Sequence, residues 1–141
     1  QDSNKDQTDT EKALENLQYY IEKKSMKNHA DEINNMIVDL RTKLAKKEFE
    51  TAKLYIRIEE YKAAEIYFEN IINEYYDTDF FDNSVFNLSL LQFVNGKDSS
   101  IKLFESNKDS FINFDNYNQW FEILNTLNEN EEISYYVKQI K

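Results

Sequence analysis

Apolar residues recur along this chain at intervals of three and four, the spacing that gathers side chains on one face of an α-helix. Leu14, Leu17 and Ile21 form the first such run, with a helix-start signal at Asp9-Thr10-Glu11. A short amphipathic helix is predicted over residues 10–24. The preceding stretch is polar and aperiodic, so residues 1–9 read as a disordered leader. Ser25 to Asn28 breaks the pattern. A longer run then passes through Ile33, Met36, Ile37, Leu40, Leu44, Phe49, Ala52, Leu54, Tyr55 and Ile58 without Gly or Pro. It predicts one helix over residues 30–58, about 43 Å long at about 1.5 Å per residue. Its stripe changes face near Lys46-Lys47, as expected where the two halves of a helix meet different neighbours.

The same period predicts helices over residues 61–76, 80–94, 99–105, 117–127 and 131–140. Ala64, Phe68, Ile71, Ile72 and Tyr75 share a face of the first of these. Asp77-Thr78-Asp79 forms a corner, with Asp79 as the expected N-cap of the next. Residues 107–114 carry no clear period.

Helix pairs joined by short turns suggest a solenoid, and the chain repeats itself at a shift of 36 residues. Ala52, Tyr55, Ala64 and Phe68 then fall on Leu88, Leu91, Ser100 and Phe104. These are small and large positions in the order of a tetratricopeptide repeat, whose period is about 34 residues. The small residues let paired helices approach, and the aromatics fill the wedge towards the next pair. The expectation is an all-α, tetratricopeptide-like α-solenoid of antiparallel helix pairs with one long shared helix. Residues 10–141 would form a single domain of roughly 2.5–3 repeats.

Composition narrows the picture. The 141 residues contain no Pro and one Gly, Gly96. Tight β-hairpins need residues at positive φ, so an all-β fold lacks its turns. At 40% hydrophobic and 15% aromatic the chain carries enough apolar material for a packed core. The net charge of −10 repels nucleic-acid phosphates and anionic bilayers. With no Cys, neither disulfides nor thiolate chemistry is available.

One stretch carries a resemblance. "LRTKLAKKEFETAKLYIRIEEYKAAEIYFENIINEYYDT", residues 40–78, resembles the BamD (YfiO/ComL) family of tetratricopeptide lipoproteins of the outer-membrane β-barrel assembly machinery. The family's pattern runs Leu-Arg-x-Lys-Leu-Ala, then Glu, an apolar residue and x-x-Ala-x-x-Tyr, then Tyr-x-Ala-Ala and a Tyr-Pro-Asp-Thr corner. Leu40, Arg41, Lys43, Leu44, Ala45, Glu48, Ala52, Tyr61, Ala63, Ala64, Tyr75, Asp77 and Thr78 match it. The similarity extends over about residues 11–105. Tyr76 replaces the corner proline, and Tyr67 stands where many members carry a basic residue. The lipidated cysteine is absent, and its removal or omission before Gln1 is inferred.

The resemblance implies a non-enzymatic scaffold on the periplasmic face of an outer membrane, attached only through an N-terminal lipid anchor. It implies as partners a BamA-type barrel insertase, other assembly subunits and unfolded outer-membrane proteins, with no nucleic acid and no cofactor. A generic tetratricopeptide adaptor, binding a peptide in a concave groove, is the alternative. A helical enzyme or ligand carrier using a buried carboxylate is the third.

Candidate chemistry is sparse. His29 is the only histidine and lies beside Asp31 and Glu32, but no further ligands follow at metal-binding spacing. Asp77-x-Asp79 begins like a calcium loop, yet Phe81 takes the next ligand position and the glycine is missing. Glu59-Glu60 and Glu129, Glu131 and Glu132 read as solvated helix-end charge rather than a paired-carboxylate site. No catalytic or metal-binding residue is assigned. The Tyr-Tyr pairs and Trp120-Phe121 read first as core; Tyr19, Tyr20, Trp120 and Phe121 are the residual candidates for exposed partner anchors, since Trp and Tyr dominate interface hot spots.

Overall fold

The computed structural model describes the backbone of residues 2–24 and 27–141 and the side chains of residues 8–22 and 29–141. The described residues form helices and connecting turns without a strand, and the fold is all-α and tetratricopeptide-like. The chain divides into two compact units, residues 1–39 and 40–141, where the pattern predicted one domain. The expected break over Ser25 to Asn28 falls in part outside the described residues; α2 already includes residues 27 and 28.

Unit 1 contains α1 (Asp2–Lys24) and the first part of α2 (Lys27–Arg57). Residues 2–9, expected as a disordered leader, are the first turns of α1. The segment has neither Gly nor Pro, and extending an existing helix costs far less than starting one. Leu14, Leu17, Ile21, Ile33 and Ile37 line one apolar groove with Gln18.

Unit 2 begins at Leu40 on α2. Ala45, Phe49 and Ala52 form the buried face of this part of α2. The helix ends in a Schellman turn: Glu60 N donates to Tyr55 O and Glu59 N to Ile56 O, with Glu59 at φ 61°. α3 (Tyr61–Glu74) follows and packs on α4 (Phe81–Leu91). Asp79 is not the N-cap of α4; Phe80 holds that position with no side-chain cap, and Thr78 O accepts from Phe81 N instead.

All of α4 except Asn83 is buried. A helix covered on nearly every side sits in the middle of its domain. Leu88 and Leu91 join Phe49, Ala52, Ala64, Phe68 and Ile71 in one core cluster. Phe81, Val85, Phe86 and Leu90 face a second, with Phe93, Phe104, Tyr117, Trp120, Leu124, Leu127 and Tyr136. A 3-10 turn at Gln92–Asn95 and Gly96, at φ 108°, lead into α5 (Lys97–Ser106). Without a Cβ, Gly96 adopts a backbone conformation other residues rarely tolerate.

The stretch without clear period resolves into a 3-10 turn, Lys108–Ser110, and an extended link to α6 (Phe114–Thr126). The buried Asp82 carboxylate accepts from Ile112 N and Asn113 N, both at 2.9 Å, and ties this link to α4. Asn113 Oδ1 caps α6 through Asp115 N and Asn116 N, so the helix starts three residues before its predicted position. The last helix, α7 (Ile133–Val137), is shorter than the pattern suggested. Beyond it, Lys141 N donates to Asn87 Oδ1 and Lys53 Nζ to Lys141 O, drawing the chain end onto α4 and α2.

Candidate protein-interaction site

Four of the residues that carry the family pattern, Arg41, Tyr75, Asp77 and Thr78, meet in unit 2 at a corner built by Arg41. From α2 its guanidinium reaches the turn after α3, more than thirty residues on. Nε donates to Asp77 Oδ1 at 3.1 Å and Oδ2 at 3.0 Å, and Nη2 to Oδ1 at 2.7 Å. Nη2 also donates to Glu74 O at 2.5 Å, satisfying a carbonyl at the end of α3. The planar fork suits this double task, which the point charge of a lysine could not perform. The rings of Tyr75 and Tyr76 flank the guanidinium, 5.4 and 6.0 Å from its carbon.

These hydrogen bonds from Arg41 hold the Asp77 carboxyl below the usual carboxylate range, against the opposing effect of partial desolvation. The Asp77 bond raises the Arg41 guanidinium correspondingly. Next to them Thr78, buried, donates from Oγ1 and N to Tyr75 O and closes the turn that the family builds with proline. Asp77 is thus paired with Arg41.

The small and large positions of the repeat lie inside unit 2. Ala52, Ala64, Phe68, Leu88, Leu91, Ser100 and Phe104 are buried, and Tyr55 is half-buried. Phe68 packs edge-on against Phe49 at 5.8 Å. Tyr55 stacks on Tyr67 at 5.5 Å, so the residue that replaces the family's basic side chain takes an aromatic partner. Ser100 does more than leave room: its Oγ donates to Ser89 O of α4 at 2.6 Å. Phe104 sits among Phe86, Phe111, Tyr117 and Phe121, with centroids 4.7–6.4 Å away. Burial, followed by Glu105 and Asp109, pushes the Tyr117 phenol upward.

The four candidate anchors separate. Trp120 is 7% exposed and packs on Phe86 at 5.0 Å within the second core cluster. Phe121 is half-buried and stacks on Tyr117. In unit 1 Tyr19 is 62% exposed, while Tyr20 is half-buried and its hydroxyl shares a 2.8 Å hydrogen bond with His29 Nδ1. Among the described residues no group of three or more His, Asp or Glu converges as a metal site. Nor is any described helix long and apolar enough to cross a membrane.

The pattern reading missed two arrangements: the uncovered outer face of α2 and the Asp82 tie. Leu40, Leu44, Leu54 and Ile58 are all exposed, although their spacing marked them as apolar-stripe residues. The mixture of Lys with Leu along residues 40–58 was the available signal. Asp82 gave none, because its partners are backbone amides.

Comparison with curated proteins and with solved structures finds no match. The sequence pattern of the YfiO family, described as outer membrane lipoprotein, matches residues 1–92. That span runs from α1 through α4 and includes both partners of the Arg41–Asp77 fork. α5, α6 and α7 lie beyond it and complete the second core cluster on α4. With about two thirds of its length matched, this chain belongs to the YfiO family of BamD-like outer membrane lipoproteins.

Proposed function

We propose that this chain is a non-enzymatic scaffold subunit of the outer-membrane β-barrel assembly machinery, holding the periplasmic domains of a BamA-type insertase at the periplasmic face of the outer membrane. The observation that carries the reading is the family match over residues 1–92. The fate of the motif residues supports it. Arg41, Asp77 and Thr78 tie two helices together, and Ala52, Ala64 and Phe68 pack them, so these residues are spent on architecture. A stack of helix pairs offers partners a broad, pre-formed surface, which is what a scaffold requires.

The test is a binding titration of the purified chain against the insertase's tandem periplasmic domains. Saturable association at or below tens of micromolar is the expected result. Absence of association at that concentration overturns the insertase assignment and favours a tetratricopeptide adaptor for another partner. A second titration, with unfolded outer-membrane protein, asks whether the chain also receives substrate.

A further inference from the structure

The side of α2 opposite Ala45, Phe49 and Ala52 is uncovered and has a composition of its own. Positions 40, 44, 47, 51, 54 and 58 follow the alternating four-three spacing of a coiled-coil seam. Leu40 is 59% exposed, Leu44 44%, Leu54 46% and Ile58 55%. The seam's helical part, Leu40 to Leu54, runs about 21 Å, and Ile58 follows in the turn after Arg57. Lys47 and Thr51 interrupt it at the centre, and a polar residue inside such a seam selects its partner and register.

Charge points the same way. The chain carries −10, yet residues 40–58 hold six basic side chains and two acidic ones. Arg41 is committed to Asp77, Lys53 to Lys141 O, and Glu48 to Asn70. Lys43, Lys46, Lys47 and Arg57 remain on the outer side, where they line a shallow groove with Glu50 and Leu54. Only the 3.9 Å Lys46–Glu50 contact offsets them among the described residues.

We propose that this outward face of α2 docks an acidic amphipathic helix of a partner protein. The occupant carries Leu or Ile at seam spacing for Leu40, Leu44, Leu54 and Ile58. A Glu or Asp of the occupant meets Lys47, and further carboxylates meet Lys43 and Arg57. A lipid surface fits less well, because Lys47 sits in the middle of the apolar stripe rather than at its border. The rest of the chain also repels anionic headgroups. This face stands apart from the insertase assignment and holds whether or not that titration succeeds.

The experiment uses the full chain and fluorescein-labelled peptides of about 21 residues, enough to span the seam. One has Leu at seam positions flanked by Glu; one has the same composition in scrambled order; one has Lys in place of Glu. Fluorescence anisotropy is expected to show saturable binding of the Glu peptide alone. K43E/K47E is expected to weaken it by about tenfold or more, as is raising the salt. Leu44→Asp, at a position 44% exposed, is expected to weaken it too while the circular dichroism spectrum stays that of the parent. Equal binding of the Lys or scrambled peptide, undiminished binding by K43E/K47E, or no binding at millimolar peptide overturns the proposal. So does a dimer in sedimentation that Leu44→Asp abolishes, which assigns the face to a second copy. Co-sedimentation with phosphatidylglycerol vesicles that K43E/K47E abolishes assigns it to a membrane and overturns the proposal as well.

Discussion

Replacing Arg41 by alanine deletes three hydrogen bonds to the Asp77 carboxylate and one to Glu74 O. In a fully buried pair such a deletion costs about 3–5 kcal/mol, because the abandoned charge has no solvent. Here the Arg41 and Asp77 side chains are 31% and 41% exposed, so water can take over the carboxylate. An ordinary exposed pair sets the other bound, about 0.2–1 kcal/mol. The forked geometry, the bond to the α3 carbonyl and the two tyrosine rings raise the loss above that bound. Arg41→Ala is expected to cost about 1–2 kcal/mol. With Asp77→Asn in a double-mutant cycle, the coupling is expected near 1 kcal/mol. Arg41→Lys should recover less than half of the loss, since an ammonium cannot bridge carboxylate and carbonyl in one plane.

The assay is urea denaturation of the four proteins of the cycle and of Arg41→Lys, followed by circular dichroism. A coupling below about 0.3 kcal/mol, or an Arg41→Lys chain as stable as the parent, refutes the fork as the tie between α2 and the turn after α3. The pH dependence follows from the lowered Asp77 carboxyl. The unfolded chain binds the proton more readily than the folded one. The pair's contribution is therefore complete above the unfolded carboxylate value of about 3.9 and is lost as pH falls through the lower folded value. Arg41→Ala should flatten that part of the acid-denaturation curve.

Other positions give sharper stability changes. Phe68→Ala should open a cavity worth about 3–5 kcal/mol, and Ala64→Leu should overpack the same cluster by about 1–3 kcal/mol, both read as shifts in the urea midpoint. Asp82→Ala leaves two amides of the extended link unpaired and should cost about 1–3 kcal/mol, with faster hydrogen exchange at Ile112 and Asn113 as the local signature. Glu59→Gly should raise stability by about 0.5–1 kcal/mol in thermal unfolding, because a Schellman turn at φ 61° suits glycine. A destabilised Glu59→Gly chain would show that the glutamate side chain contributes more than its backbone strain costs.

The sequence alone determined the class of structure and the family. Lack of proline, a single glycine and apolar spacing of three and four leave helices as the only economical way to satisfy the backbone. Ala52, Ala64 and Ser100 announced close helix approach, since only small side chains permit it. The stretch over residues 40–78 carried the family likeness because local motifs survive as contiguous letters. Periodicity shows that a face is apolar but not what covers it. The same spacing thus buried Phe49 and Ala52 and left Leu40, Leu44 and Leu54 in solvent. Only the folded chain decided that Trp120 belongs to the core, that α4 is covered on nearly every side, and that Arg41 finds Asp77 while Asp82 finds the backbone of residues 112 and 113. These pairings join residues some thirty positions apart, and their geometry is set by where the turns direct each helix rather than by any local preference along the chain.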